Sequence, residues 1–205
     1  MTPYFDDGQI AIYHGDCREV LPLIAFDSVA TDPPYGIGFA AQPTKWQRRA
    51  GQQPEQWDDQ PVDSVVLALA DADRPTIIWG GNYYALPPQR GWLLWTKPDA
   101  PPSMGSAEMA WTNLDQCVRS LSVSISQTNA ERVGHPTQKP LRVMTWSLGF
   151  IAKPGVVCDP FMGSGTTLRA CKDLGIRAIG IEQDERYCEI AARRLAQQTL
   201  FGGVA

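Results

Sequence analysis

Residues 156–174, VVCDPFMGSGTTLRACKDL, read as a short apolar strand that turns at once into a helix. Val156, Val157 and Cys158 form the strand, and Thr166 to Leu174 the helix, with Gly175 as its C-terminal stop. Gly163 and Gly165 occupy the turn, where a missing Cβ lets backbone approach a ligand and the helix N-terminus offers free N–H groups. The next strand, Arg177 to Ile181, delivers Glu182 roughly 20 residues on, the spacing at which an acid grips ribose hydroxyls. A strand, a helix and a second strand in this order are the unit of an open parallel sheet.

The rest of the chain extends that unit. Gln9 to Tyr13 reads as a strand ending at His14-Gly15-Asp16, and Asp27 to Thr31 as one running into Asp32-Pro33-Pro34-Tyr35. Pro61 to Ala70 reads as a helix, with proline at its start. Thr76 to Trp79 is a buried strand broken by Gly80-Gly81, and Trp92 to Trp95 another closed by Lys97-Pro98. Glu108 to Trp111 and Val118 to Ile125 read as antiparallel edge strands, the second with period-two alternation. A helix is expected from Pro140 to before Pro154, and a final amphipathic one from Asp184 to Gln198. The pattern predicts an α/β, Rossmann-like fold: a mostly parallel sheet with helices on both faces, and one domain over all 205 residues.

The turn does not fit a dinucleotide or a P-loop. Leu168 stands where the third glycine of G-x-G-x-x-G belongs, and no lysine follows Gly165. Asp159 before the turn would repel phosphate, but it suits the ammonium of an amino acid. A ribose, an amino acid and no phosphate point to S-adenosylmethionine. Asp159, Phe161, Gly163, Ser164, Gly165, Thr166 and Glu182 are the candidate residues for it.

Asp32-Pro33-Pro34-Tyr35 should lie at the carboxyl edge of the sheet, where α/β enzymes bind ligands. An exocyclic base amine is a poor nucleophile because its lone pair is delocalised into the ring. The Asp32 carboxylate and the Pro33 carbonyl could accept its two hydrogens and raise electron density on nitrogen. Pro33 and Pro34 stiffen the loop and remove two competing N–H donors. Tyr35 would stack on an extruded base.

Bulk properties constrain the partner. A formal net charge of −4 is not the footprint of a protein that coats nucleic acid, so any basic surface must be local. Lys45, Trp46, Arg48 and Arg49, within Ile37 to Trp57, are the candidate DNA contacts. The five cysteines contain no C-x-x-C pair and only two histidines accompany them, so buried thiols and no metal are expected. No apolar run approaches a membrane span and no secretory signal opens the chain, so a cytoplasmic protein is expected.

TDPPYG at 31–36, HPTQKP at 135–140, CDPFMGSGTT at 158–167 and GIEQD at 180–184 together resemble the amino methyltransferases of DNA in the permuted beta class. In that class the catalytic motif precedes the cofactor motif. IIWGGNYYALP, GWLLWTKPD and AEMAWTN are similar to phage and prophage members, so the resemblance covers nearly the whole chain. It implies methyl transfer from S-adenosylmethionine to double-stranded DNA, as in restriction-modification. It places Asp16 and Cys17 beside the adenine ring of the cofactor, and His135, Thr137, Lys139 and Pro140 near its amino-acid portion. Homodimers are common in the family, so a homodimer is an expectation too.

Larger members carry a separate target-recognition region before HPTQKP; here residues 114–134 leave room only for a reduced one. Asp at position 32 favours adenine N6, since cytosine N4 generally goes with Ser-Pro-Pro-Tyr. Cytosine N4 stays the nearest alternative, with RNA, a protein glutamine or a non-catalytic module further off. Carbon-5 methylation is set aside, because no cysteine here follows a proline.

Overall fold

The computed structural model describes residues 1–36, 62–102, 104–129 and 138–197. Lys45, Trp46, Arg48, Arg49, His135 and Thr137 therefore lie outside the described residues. In chain order the elements are β1 (Phe5–Asp6), β2 (Ile10–His14), α1 (Cys17–Val20), β3 (Ser28–Thr31), α2 (Asp63–Asp71) and β4 (Thr76–Trp79). There follow β5 (Trp92–Thr96), β6 (Ala107–Thr112), β7 (Arg119–Ser122), α3 (Ile125–Asn129) and α4 (Leu141–Leu148). Last come β8 (Val156–Asp159), α5 (Thr166–Asp173), β9 (Arg177–Glu182) and α6 (Glu185–Ala196).

Among the described residues the strands make one sheet in the order β1-β2-β9-β8-β3-β4-β6-β5-β7. From β2 to β4 every neighbouring pair is parallel, so these strands end at one edge. β6 is antiparallel to both β4 and β5. The fold is α/β and Rossmann-like.

Side-chain alternation along the strands supplies both faces. Ala30, Ile77 and Val157 point to one side, where they pack with Met144 of α4, Leu168 of α5 and Leu195 of α6. Their neighbours Val29 and Cys158 point to the other, against Val20 of α1 and Val65 and Leu69 of α2. Ile78 packs there with Val66 and Ala70. A strand buried on both faces cannot alternate apolar with polar, which is why TIIW and VVCD read as continuous runs.

Three expectations need correction. β6 is an interior strand, flanked by β4 and β5, and not an edge. β7 is the edge, but it runs parallel to β5, pairing Leu93 with Arg119 and Thr96 with Ser122. Alternation fixes which face a residue takes and carries no information about strand direction. Cys117 is exposed while the other four cysteines are buried, because it lies in the connection before β7 and outside the sheet. Among the described residues no helix is long and apolar enough to cross a membrane.

Candidate active site

The parallel strands deliver Asp16, Asp32, Gly80, Asp159 and Glu182 to the same edge, each at or just beyond a carboxyl end. Because β6 runs the other way, its first residues reach that edge as well: Glu108 pairs with Trp95 and Ala110 with Trp79. Chemistry from both halves of the sheet is thus gathered in one place.

The glycine turn is held from three sides. Gly163 and Gly165 have φ of 50° and 78°, values that L side chains rarely adopt. A Cβ at Gly165 would meet the Ala191 Cβ at 2.8 Å, so the glycine lets α6 pack against the start of α5. The Gly163 N–H donates to Glu182 Oε2 (3.1 Å) and the Asp184 N–H to Oε1 (2.9 Å). Burial raises the pKa of Glu182. From α6, Arg194 donates to the Ser164 carbonyl at 2.6 Å.

Asp159 lies under the turn with 2% of its surface exposed. It accepts the Thr31 hydroxyl at 2.7 Å and the Phe161 N–H at 3.2 Å. Burial pushes its pKa up to about 6, against the pull of its hydrogen-bond donors Thr167, Thr31 and Phe161. On the far side, Asp16 caps α1 by accepting the Arg18 N–H at 2.8 Å. Burial raises the Cys17 thiol to about 11, so it is a neutral apolar contact and not a nucleophile.

The Asp32–Tyr35 loop is braced by its own side chains and by the segment that follows β4. The Tyr35 hydroxyl donates to Asp32 Oδ1 at 2.5 Å, and the Tyr84 hydroxyl donates to the Pro34 carbonyl. The Tyr35 ring stacks on Tyr83, with centroids 4.7 Å apart and planes 16° from parallel. Gly80, at φ 68°, makes room for it: a Cβ there would stand 1.9 Å from Tyr35 Cε1.

Between loop and turn opens a cavity of about 760 Å³. It is lined by Asp16, Cys17, Asp32 to Tyr35, Lys139, Asp159, Phe161, Gly163, Ser164, Thr166 and Glu182. Every described residue singled out from the sequence for the cofactor or the base faces it except Gly165, which packs against α6, and Pro140, which precedes α4. That volume falls within the range of small-molecule sites.

A family model of DNA methylases, N6_N4_Mtase, matches residues 71–193, more than half of the chain. The chain belongs to this DNA methylase family. Over 64 residues it is 42% identical to the type II methyltransferase M.HinfI of Haemophilus influenzae, covering 31% of this chain and 18% of that protein. It thus spans less than a fifth of that curated relative's length. The crystal structure of the M1.HpyAVI–SAM complex is similar at a TM-score of 0.59 and 25% identity, over 90% of this chain and 99% of that one. The cytosine-N4-specific PvuII DNA methyltransferase reaches 0.63 at 16% identity, over 98% and 90%, a likeness of fold alone.

In this member of the DNA methylase family the structure also exposes partners that the sequence reading passed over. Lys139 donates to both oxygens of Asp32 (2.8 and 2.9 Å) and to the Tyr35 hydroxyl (2.8 Å). Its third carboxylate contact is Glu108 Oε2 at 2.7 Å, and Lys97 pairs with the other oxygen of Glu108. The resemblance had placed Lys139 near the amino-acid end of the cofactor; among the described residues its ammonium is directed to the Asp32 loop. Burial works against ionising Glu108, but Lys139 and Lys97 hold it well below the usual carboxylate range. Glu108 and Lys97 were legible only as charged residues at the ends of apolar strands. Which end they shared depended on the direction of β6.

Proposed function

We propose that this DNA methylase transfers a methyl group from S-adenosylmethionine to the exocyclic amine of a base in double-stranded DNA, adenine N6 in preference to cytosine N4. The observation that carries this reading is the single cavity joining the Gly163–Thr166 turn and Glu182 to the Asp32–Tyr35 loop. The residues present fit the cofactor. Glu182, on the strand after the turn, suits a ribose diol, and Gly163 with Ser164 offers backbone close at hand. Asp159 and the absence of a P-loop lysine suit an amino-acid moiety and not a phosphate.

When bound, S-adenosylmethionine supplies an electrophilic methyl group on a sulfonium. The chain's own part is to make a weak nucleophile adequate and to hold it in line. The Asp32 carboxylate and the Pro33 carbonyl accept the two amine hydrogens and concentrate electron density on nitrogen. Tyr35 provides a flat surface for an extruded base. As the N–C bond forms, the bond from the methyl to sulfur breaks and its electron pair stays on sulfur; the amine gives up one proton, which the Asp32 carboxylate that holds it would take. The choice of adenine rests on aspartate at position 32.

Methyl transfer from labelled S-adenosylmethionine to unmodified plasmid DNA, followed by nucleoside analysis, tests this. Label in N6-methyladenine is the expected outcome. Label in N4-methylcytosine would keep the chemistry and overturn the base, and no label in any nucleic acid would overturn the reading.

A further inference from the structure

Lys139 is a buried ammonium with two carboxylates. Its side chain is 6% exposed, and Asp32 and Glu108 approach it at 2.8 and 2.7 Å. Lys97, 8% exposed, closes the row on the far oxygen of Glu108. The four side chains make a charge-balanced line, Lys97, Glu108, Lys139, Asp32, leading from the end of β5 to the Asp32 loop. Tyr35 completes it, accepting from Lys139 and donating to Asp32. A lysine that merely tied the loop to the fold would need one carboxylate. A buried ion pair is in any case a weak source of stability compared with apolar packing.

The second carboxylate has a use at the point where the first is needed. In this arrangement both oxygens of Asp32 accept from Lys139, so neither is free of an ammonium when an amine arrives. Oδ1 already accepts from Lys139 and Tyr35 and Oδ2 from Lys139, so an incoming amine N–H competes with the ammonium for the same carboxylate. The pairing lapses once Asp32 takes the proton of the amine. Without Glu108 that step would strand a buried ammonium with no carboxylate beside it. Burial alone would depress Lys139, yet Asp32 and Glu108 keep it well above the ordinary lysine value. The ring faces of Tyr35 and Trp79, 5.5 and 5.7 Å from Nζ, add a further favourable surface.

We propose that Glu108 is a positioning residue: a standing counter-ion that keeps Lys139 paired while Asp32 exchanges its ammonium bonds for the N–H of the target amine. This rests on the amino methyl transfer proposed above. Glu108 touches neither base nor cofactor in this role; it acts through Lys139.

Two measurements on the full chain test it. The first is a carbon NMR titration of protein labelled at lysine Cε, which needs no substrate. In Asp32→Asn, Glu108 should still hold Lys139 protonated as firmly as an ordinary exposed lysine, whereas in the D32N/E108Q double variant burial should bring its titration lower. Lys139 losing its proton early in D32N alone would overturn the proposal, since Glu108 would then be an insufficient partner. The second is steady-state methyl transfer. Glu108→Gln should lower kcat about 10-fold or more, with the KM for S-adenosylmethionine within about threefold of the unaltered protein.

Removing the stranded cation as well, in E108Q/K139M, should recover part of that loss. A purely structural pair would instead make the double variant as poor as the single or poorer. An unimpaired E108Q, or a double variant no better than it, overturns the role alone and leaves the methyl transfer reading standing. An unaltered protein that methylates no nucleic acid removes both. Thermal melts of each variant separate these outcomes from loss of the fold.

Discussion

At neutral pH the Asp159 carboxylate is ionised where water scarcely reaches it, held by the Thr31 hydroxyl and the Phe161 N–H. Burial raises its pKa from 3.8 to about 6, so the folded protein binds this proton more tightly than the unfolded chain. Stability from this group is therefore greatest below pH 4 and falls as pH rises through 6, by about 2–3 kcal/mol in total. Asp159→Asn should be more stable than the unaltered protein at pH 7.5 by about 1–2 kcal/mol, an unpaired amide donor offsetting part of the gain. Urea denaturation at pH 7.5 and pH 4 checks this, and an advantage that persists at pH 4 would refute it. Asp32→Ala should reduce methyl transfer by about 100-fold or more while cofactor affinity, read by calorimetry, is largely kept. Parallel loss of both would remove the assigned role. At this scale the sequence was informative wherever spacing carried a physical meaning, as for Glu182 after the turn. Glu108 carried no such spacing. Its importance depends on a strand running backwards to meet Lys139 from a distant segment.

Elements meet here through positions that admit no side chain. Gly165 opens α5 in the left-handed region, and a Cβ would press on Ala191 of α6. Gly165→Ala should cost about 1–3 kcal/mol and weaken cofactor binding together with stability, measured by thermal melting with and without S-adenosylmethionine. Gly80 stands at the end of β4 and makes way for the Tyr35 ring. Gly80→Ala should therefore displace Tyr35 and reduce methyl transfer more than it reduces cofactor binding. Equal losses in the two assays would count against that separation. The glycine turn and the strands around it were legible because tight strand-to-helix turns impose their own chemistry. β7 was not: its residues RSLS show one partly buried position, and nothing local tells a parallel edge from an antiparallel one.

The whole molecule carries a net charge of −4, so DNA must be met by a local patch if the proposed substrate is right. Neutralising Lys45, Arg48 and Arg49 together should weaken DNA binding and flatten its dependence on salt, by roughly 2–3 in the slope of log K against log salt. Unchanged affinity at two salt concentrations would rule the patch out. Fold class was legible from alternating strands and helices, whereas the order of strands in the sheet was not, since order is decided by contacts far apart in sequence. β2 illustrates this, lying against β9 in parallel register, with His14 bonded to Gln183 across 169 residues. During synthesis the Asp32 loop leaves the ribosome 145 residues ahead of Arg177, and the pocket beside it lacks a wall until β9 has emerged. A nascent chain therefore carries this loop through the whole of that interval with nothing to react. Any chaperone that guards the exposed side of β2 must wait for β9 before letting go.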